Sequence, residues 1–242
     1  MFGAGVGAGT VNTIVGSGSL ITFPTLLAIG YAPVLANVSN TVGVVPGTIS
    51  GSIGYRAELI GQRSRLVALG GAAVVGGLTG GILLLALPGS VFRGVVPVLI
   101  LLAVVLAAVQ PRVARWLMDR RNEPPVHGGP VLLISVFLTG VYGGYFGAAQ
   151  GVILISLLGI FIADDLQRLN ATKNVLTALV NGVAALLFIA ATHIAWAAAG
   201  VLAVGSILGG QLGAHVGRRL PAPLLRAVII LVGTGVAIRL LV

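Results

Sequence analysis

Polar residues occur in this chain mainly as short gaps between long apolar runs, and that alternation, kept from end to end, constrains the fold more than any motif. The gaps leave eight apolar segments, at roughly 2–29, 35–54, 66–87, 91–110, 131–161, 170–191, 195–216 and 222–241. A helix needs about 20 residues to cross the hydrocarbon of a bilayer, and six of the segments have about that length. Only 8% of the 242 residues are charged, against about 25% in a soluble domain, so the chain has too little charge to cover a water-facing surface. Disorder is excluded by the same apolarity. In lipid every backbone polar group must be satisfied internally, so the expected class is an all-α polytopic membrane protein.

Segments 2–29 and 131–161 are longer than the rest, and each contains a break. The first break is Gly16-Ser17-Gly18-Ser19, preceded by Gly3, Gly5, Gly7 and Gly9; the second spans Gly143-Gly144-Tyr145-Phe146-Gly147-Ala148-Ala149-Gln150-Gly151. After each break come a polar gap and a helix start rich in amides: Asn37, Ser39, Asn40 and Thr41 match Asn170, Thr172, Lys173 and Asn174. Two plainer segments close each half. This order reads as an internal duplication within a single membrane domain, 1–242, with repeats 1–110 and 130–242 joined by a basic connector at 111–129.

Charge then bears on topology. The net charge is +9, from 14 Lys and Arg residues, and cytoplasmic loops are the ones enriched in these residues. If all eight segments crossed, the loop carrying Arg56, Arg63 and Arg65 would lie opposite the one carrying Arg168. If the two broken segments instead enter and leave on one side, the basic residues gather on the cytoplasmic face, except Arg93 and Arg239. The halves then become inverted repeats, each with one glycine-broken, re-entrant segment and three transmembrane helices. Long, kinked spanning helices are the plainer alternative. The basic residues form no continuous nucleic-acid surface; they read as topogenic charge beside anionic headgroups, with membrane lipids as partners and no nucleic acid. Met1 leads straight into an apolar stretch, so no cleavable leader is expected.

The breaks are where chemistry is expected. Irregular backbone at membrane depth is tolerated only inside protein or beside water. The N–H groups that open the following half-helix lack intrahelical partners, and with the positive helix end they form an anion cradle. Ser17 and Ser19 add hydroxyls, Gly18 lets an oxygen approach the backbone, and Thr22 lies one turn on. In the second half Gln150 adds an amide, Gly147 and Gly151 allow close approach, and Tyr142 and Tyr145 offer phenols. Asn37 and Asn40 share a helix face, as do Asn170 and Asn174; each face is suited to hydrogen-bonding an anion or to closing the cradle. Lys173 either supplies positive charge or snorkels to the headgroups. Each feature also has a structural reading: glycines for close helix packing, serines bonded one turn back, asparagines as caps. Asn181, deeper in its helix, needs a partner in either case.

The acids Glu58, Asp119, Glu123, Asp164 and Asp165 all read as loop or helix-end residues, so no carboxylate relay crosses the core. His127 is in the connector, while His193 and His215 fall at segment ends; with no cysteine, neither a metal site nor another cofactor is expected. The glycine-rich stretches lack the Walker lysine, and no zinc-protease helix or nucleophile triad is present. The chain therefore reads as a non-enzyme.

The ordered elements Gly16-Ser17-Gly18-Ser19, Phe23-Pro24-Thr25-Leu26, Gly30-Tyr31-Ala32-Pro33 and Ala36-Asn37-Val38-Ser39-Asn40, with a partner from Gly140 through Gln150-Gly151 into Asn174, resemble the sulfite exporter TauE/SafE family over nearly the whole chain. Two serines stand where family members carry more glycine. The resemblance implies secondary transport of a small anion (sulfite, sulfonate or a related oxyanion) across the cytoplasmic membrane. It points to the residues around Ser17–Pro24 and Gly147–Gly151, with Asn37 and Asn40. Alternating access between the halves is the expected mechanism; an anion channel and a non-transporting structural subunit are the alternatives. No oligomeric state is expected from the sequence.

Overall fold

The computed structural model describes residues 1–119 and 129–216, and every regular element among them is helical. In order these are α1 (Phe2–Ile14), α2 (Ser19–Ala28), α3 (Pro33–Gly54), a single 3₁₀ turn (Arg56–Leu59), α4 (Arg63–Ala86), α5 (Gly89–Asp119), α6 (Gly129–Tyr145), α7 (Gln150–Phe161), α8 (Leu166–Ala191) and α9 (Trp196–Val216). The last apolar segment, 222–241, and residues 120–128 of the connector lie outside the described residues.

Both expected breaks divide their segments in two. The four resulting helices have 13, 10, 17 and 12 residues, hence lengths of about 15–26 Å at 1.5 Å per residue, short of the ~30 Å hydrocarbon layer. Among the described residues, four helices are long and apolar enough to cross: Arg63–Ala86, Gly89–Leu106, Leu166–Ala191 and Trp196–His215. With 22 residues α3 has the length as well, and its buried Asn37, Ser39, Asn40 and Thr41 make it more polar. The chain is thus an all-α, multi-pass membrane protein. Large apolar side chains such as Val67, Val98, Leu186 and Val204 stand exposed on its helices, as lipid-facing positions require.

Local chemistry explains the helix ends. Gly30, at φ +101°, closes α2 in a Schellman motif: Tyr31 N–H reaches Leu26 O at 3.2 Å and Gly30 N–H reaches Leu27 O at 3.0 Å. Pro33 then opens α3, where its missing N–H costs nothing. Asp165 caps α8 by accepting from Gln167 N–H at 2.8 Å.

The helices form two groups. Helices α1, α3 and α9 pack together, as do α4, α6 and α8, and α3 meets α8 between them. Glycine makes the seams within each group close. A Cβ at Gly9 would fall on Ser206 O, one at Gly76 on Phe137 O, and one at Gly80 on Val141 O. Small residues of this kind let helix backbones touch where lipid offers no hydrophobic drive. Each group therefore mixes elements from both parts of the sequence.

Two loops meet at one end of the bundle. Arg65 Nη1 lies 2.7 Å from Asp164 Oδ2, and Arg168 Nε lies 2.9 Å from Asp164 Oδ1. Gln62, which is buried, joins them by accepting from Arg65 and from Thr172, each at 2.8 Å. Partial burial pushes the Asp164 carboxyl up. The hydrogen bond from Arg65, that from Asp165 N–H, and the charges of Arg168 and Arg65 outweigh this and hold it below the ordinary carboxylate value.

Candidate functional site at the two helix breaks

The first break begins where α1 runs out. Val15 and Gly16 both direct their N–H groups to Val11 O, at 2.7 and 3.1 Å, and Gly16 turns the chain at φ +87°. The chain then reverses. A Cβ on Gly18 would strike Ala8 O, and one on Gly7 would sit 3.7 Å from the Ile21 side chain, so α2 returns along α1. Its first backbone bonds are Leu20 N–H to Ser17 O at 3.1 Å and Ile21 N–H to Gly18 O at 2.9 Å. The donors just before them precede the helical ladder.

The second break uses the same device with different residues. Phe146 and Gly147 close α6 onto Tyr142 O, Gly147 has φ +77°, and Ala149 adopts φ +59° immediately before α7. A non-glycine residue there carries backbone strain of the kind that gathers at functional sites. The Tyr142 hydroxyl donates to Ala148 O and so fixes the break. The Gln150 side chain lies where a Cβ on Gly143 would be, so Gly143 makes room for that amide.

The breaks meet each other. Gly151 N–H donates to Gly16 O at 3.0 Å, and a Cβ on either glycine would overlap the Cα of the other. Amide-bearing helices then cross-cap the ends of α1 and α6. Asn37 Nδ2 donates to Tyr145 O at 2.9 Å. In the reciprocal place Asn170 Nδ2 and Asn174 Nδ2 each reach Thr13 O at 3.3 Å. Lys173 Nζ reaches Asn12 O and Thr13 O, both at 3.2 Å. Asn40 Nδ2 donates to Ser19 Oγ at 3.2 Å.

Around this meeting point lies an unusual concentration of unpaired polarity. Ser17 Oγ, Thr22 Oγ1, Asn37 Oδ1, Asn40 Oδ1, Thr177 Oγ1 and both amide atoms of Gln150 are buried with no protein partner. Natural interiors pair more than about 90% of such groups, and each orphan costs about 1–3 kcal/mol. Five of these six residues belong to the candidate set read from the sequence. The other candidates have local roles: Gly18 packs on α1, Gly147 turns the chain, Gly151 closes on Gly16, Ser19 receives Asn40, and Asn174 caps α1.

Two features depart from the sequence reading, and a third is decided between its two readings. Lys173 does not snorkel; only 1% of it is exposed. The Tyr142 hydroxyl is spent on Ala148 O, and the Tyr145 ring packs on Phe92 with centroids 5.6 Å apart. Thr177 was not singled out, yet it belongs to a stripe with Asn170, Asn174 and Asn181 whose three- and four-residue spacing was visible in the sequence. His193 and Trp196 are exposed at a helix start, as an interfacial belt requires. His215 is exposed near the end of α9, and His127 lies outside the described residues.

Comparison with known proteins places the chain beside membrane transporters. A model of the family "Sulfite exporter TauE/SafE" matches residues 1–240. The chain is 27% identical over 235 residues to "Probable membrane transporter protein YfcA" of Escherichia coli K12, covering 97% of this chain and 86% of that protein. It is 29% identical over 217 residues to a "Probable membrane transporter protein" of Haemophilus influenzae, covering 89% and 83%. With "Probable membrane transporter protein YunE" of Bacillus subtilis it shares 23% over 255 residues, covering 95% and 93%. No solved structure gives a significant match.

Proposed function

The chain belongs to the sulfite exporter TauE/SafE family, and we propose that it is a secondary transporter whose break-centred site carries a small anion, of the sulfite, sulfonate or related oxyanion class, across the cytoplasmic membrane. The observation that carries this reading is the set of buried, unpartnered polar atoms at the meeting of the two breaks, above all Ser17 Oγ and the Gln150 amide. A small polyatomic solute would pair with such groups. The sign of its charge follows from the surroundings. The N-termini of α2 and α7 open at the breaks and favour negative charge, Lys173 is buried among the same elements, and the described acids Glu58, Asp164 and Asp165 lie between helices or in the 3₁₀ turn. Gly151 N–H is already bonded to Gly16 O, so the anion's partners are Ser17, Thr22 and Gln150 rather than that amide.

The topology we propose is the pair of inverted repeats, 1–110 and 130–242, in one membrane domain. The Arg65–Asp164 ion pair and the hydrogen bond that Arg168 Nη1 donates to Ile60 O support it. They join the α3–α4 loop to the α7–α8 loop, which would lie on opposite faces if every segment crossed. Both lie on one face if α1–α2 and α6–α7 are re-entrant hairpins entering from opposite sides. The positive-inside rule makes the shared face, with Arg56, Arg63, Arg65 and Arg168, cytoplasmic. Transport then proceeds by alternating access to the meeting point of the hairpins.

Uptake of radiolabelled sulfite and of an alkyl sulfonate into sealed proteoliposomes tests this. Wild type should show saturable uptake, and Ser17→Ala and Gln150→Ala, inserted and folded, should each lower it at least about 10-fold, the equivalent of one lost hydrogen bond to a charged group. An inserted wild type that moves none of these anions, with or without an imposed ion gradient, would overturn the reading.

A further inference from the structure

Among the buried groups at the breaks, Lys173 is the one whose usual partner is missing. It projects from α8 into the bundle, it is 1% exposed, and its Nζ rests on two main-chain carbonyls, Asn12 O and Thr13 O, both at 3.2 Å. These belong to the last turn of α1, whose residues run to Ile14. No carboxylate pairs with it among the described residues. A lysine is almost never fully buried unless paired, and here it is held only by carbonyl oxygens.

Carbonyls at the C-terminal end of a broken helix carry the negative pole of the helix dipole. In membrane carriers built on discontinuous helices, such ends are where a coupling cation binds. A dissociable cation there would need several oxygens directed at one point. In this chain the Thr13 carbonyl already receives three donors: Lys173 Nζ and the side-chain amides of Asn170 and Asn174, the latter two at 3.3 Å. The reciprocal place at the end of α6 is different, because Tyr145 O receives only the neutral amide of Asn37. The two half-helix ends are therefore capped unequally, one by a tethered cationic group and one by an amide. An ammonium has three donors; two are spent on carbonyls, and the third remains for a ligand at the break, which opens at Gly16, three residues beyond Thr13.

We infer that Lys173 is a tethered cation, occupying the half-helix end where a dissociable coupling cation would otherwise bind and supplying the fixed positive charge for the anion at the breaks. The inference rests on the anion reading above and deepens it. Its single charge balances a bound monoanion such as a sulfonate or hydrogensulfite with the protein's own group, so uptake needs no sodium or other metal cation from either compartment.

The experiment has two arms. In proteoliposomes, wild-type uptake of radiolabelled sulfite is measured with sodium, potassium or choline as the sole monovalent cation, and the expected rates agree within about twofold. Saturable uptake that vanishes in choline overturns this inference and leaves the anion reading intact; a wild type that moves no anion under any cation overturns the anion reading instead. In the second arm, the sulfite-induced rise in thermal unfolding midpoint is measured on purified wild type and Lys173→Ala in choline buffer. The variant should lose the shift and regain at least half of it with tens of millimolar ammonium or methylammonium, which can donate hydrogen bonds, but not with tetramethylammonium, which cannot. A folded Lys173→Ala that keeps the wild-type shift, or loses it without rescue by ammonium, overturns the proposal and makes Lys173 either dispensable or a purely structural tie. If Lys173→Ala does not fold, the cation replacement on wild type still decides.

Discussion

The contact between the two breaks can be tested with a single methyl group. Gly16→Ala incurs two costs that the structure separates. The first is conformational, since Gly16 sits at φ +87°, and placing an L side chain in the left-handed region costs about 1–2 kcal/mol. The second is steric, because the new Cβ would land on the Cα of Gly151; forcing a methyl into close-packed interior costs about 1–3 kcal/mol. Gly30 isolates the first cost: it has φ +101°, and nothing lies within 4 Å of where its Cβ would be. Gly30→Ala should therefore destabilise by about 1–2 kcal/mol and Gly16→Ala by about 2–5 kcal/mol. The assay is equilibrium unfolding of the purified protein in mixed micelles by SDS titration, with both variants run against wild type. The comparison is robust because both substitutions change the unfolded chain alike. If Gly16→Ala is no less stable than Gly30→Ala, the backbones at the two breaks are not in contact, and the site built on that contact falls.

Two more expectations follow from other parts of the bundle. Asp164→Asn should cost about 1 kcal/mol at neutral pH, the upper range for a partly exposed pair, since it weakens bonds to Arg65 and Arg168. Its folded-state pKa is depressed, so its contribution is present above the unfolded carboxylate value and fades as pH falls through the lower folded one; the gap between wild type and variant, followed by unfolding midpoint, should close over that acidic window. On α4, Gly80→Leu should abolish stable folding because its Cβ falls on Val141 O, whereas Gly71→Ala, with nothing within 4 Å, should be neutral or stabilise by up to about 1 kcal/mol through helix propensity; equal losses on size-exclusion chromatography would contradict the seam.

What was legible in the sequence follows from the periods that encode it. Apolar length marked the segments, and clustered glycine, joined by serine in the first, marked both breaks to within a few residues, because irregular backbone is costly at membrane depth. The position of Ser17 and Gln150 beside the breaks was visible for the same reason. The partners of the asparagines were not: nothing in the local spacing of Asn37 says that it caps Tyr145, 108 residues away. For Lys173 the sequence leaves two readings open, a fixed positive charge or snorkelling near a segment start; the burial that excludes the second depends on α1 ending beside it. The run of α5 to Asp119, well past the apolar stretch, was also hidden, since a helix continues through polar residues once its first turns are packed.

The interlocked packing bears on how a break-centred site can open to each side in turn. The natural expectation from a duplicated sequence is that one repeat moves against the other. Here that motion would have to part α1 from α9 and α4 from α6, seams where Gly9, Gly76 and Gly80 bring backbone against backbone with no room for sliding. The seam between the two three-helix groups holds one such backbone contact, where Gly16 meets Gly151 at the breaks, and is built differently elsewhere. It is crossed by hydrogen bonds: Asn37 to Tyr145 O, Lys173 to Asn12 O and Thr13 O, and Gly151 N–H to Gly16 O. Hydrogen bonds at 2.9–3.2 Å can be exchanged for bonds to water or to an entering anion, each at a net cost of about 1 kcal/mol, whereas interlocked backbone cannot be exchanged at all. The moving bodies of the proposed cycle are therefore α1, α3 and α9 against α4, α6 and α8, with the anion site on the seam that they share. On the proposed repeats, 1–110 and 130–242, each body holds parts of both, and the two breaks, far apart in sequence, meet where the bodies meet.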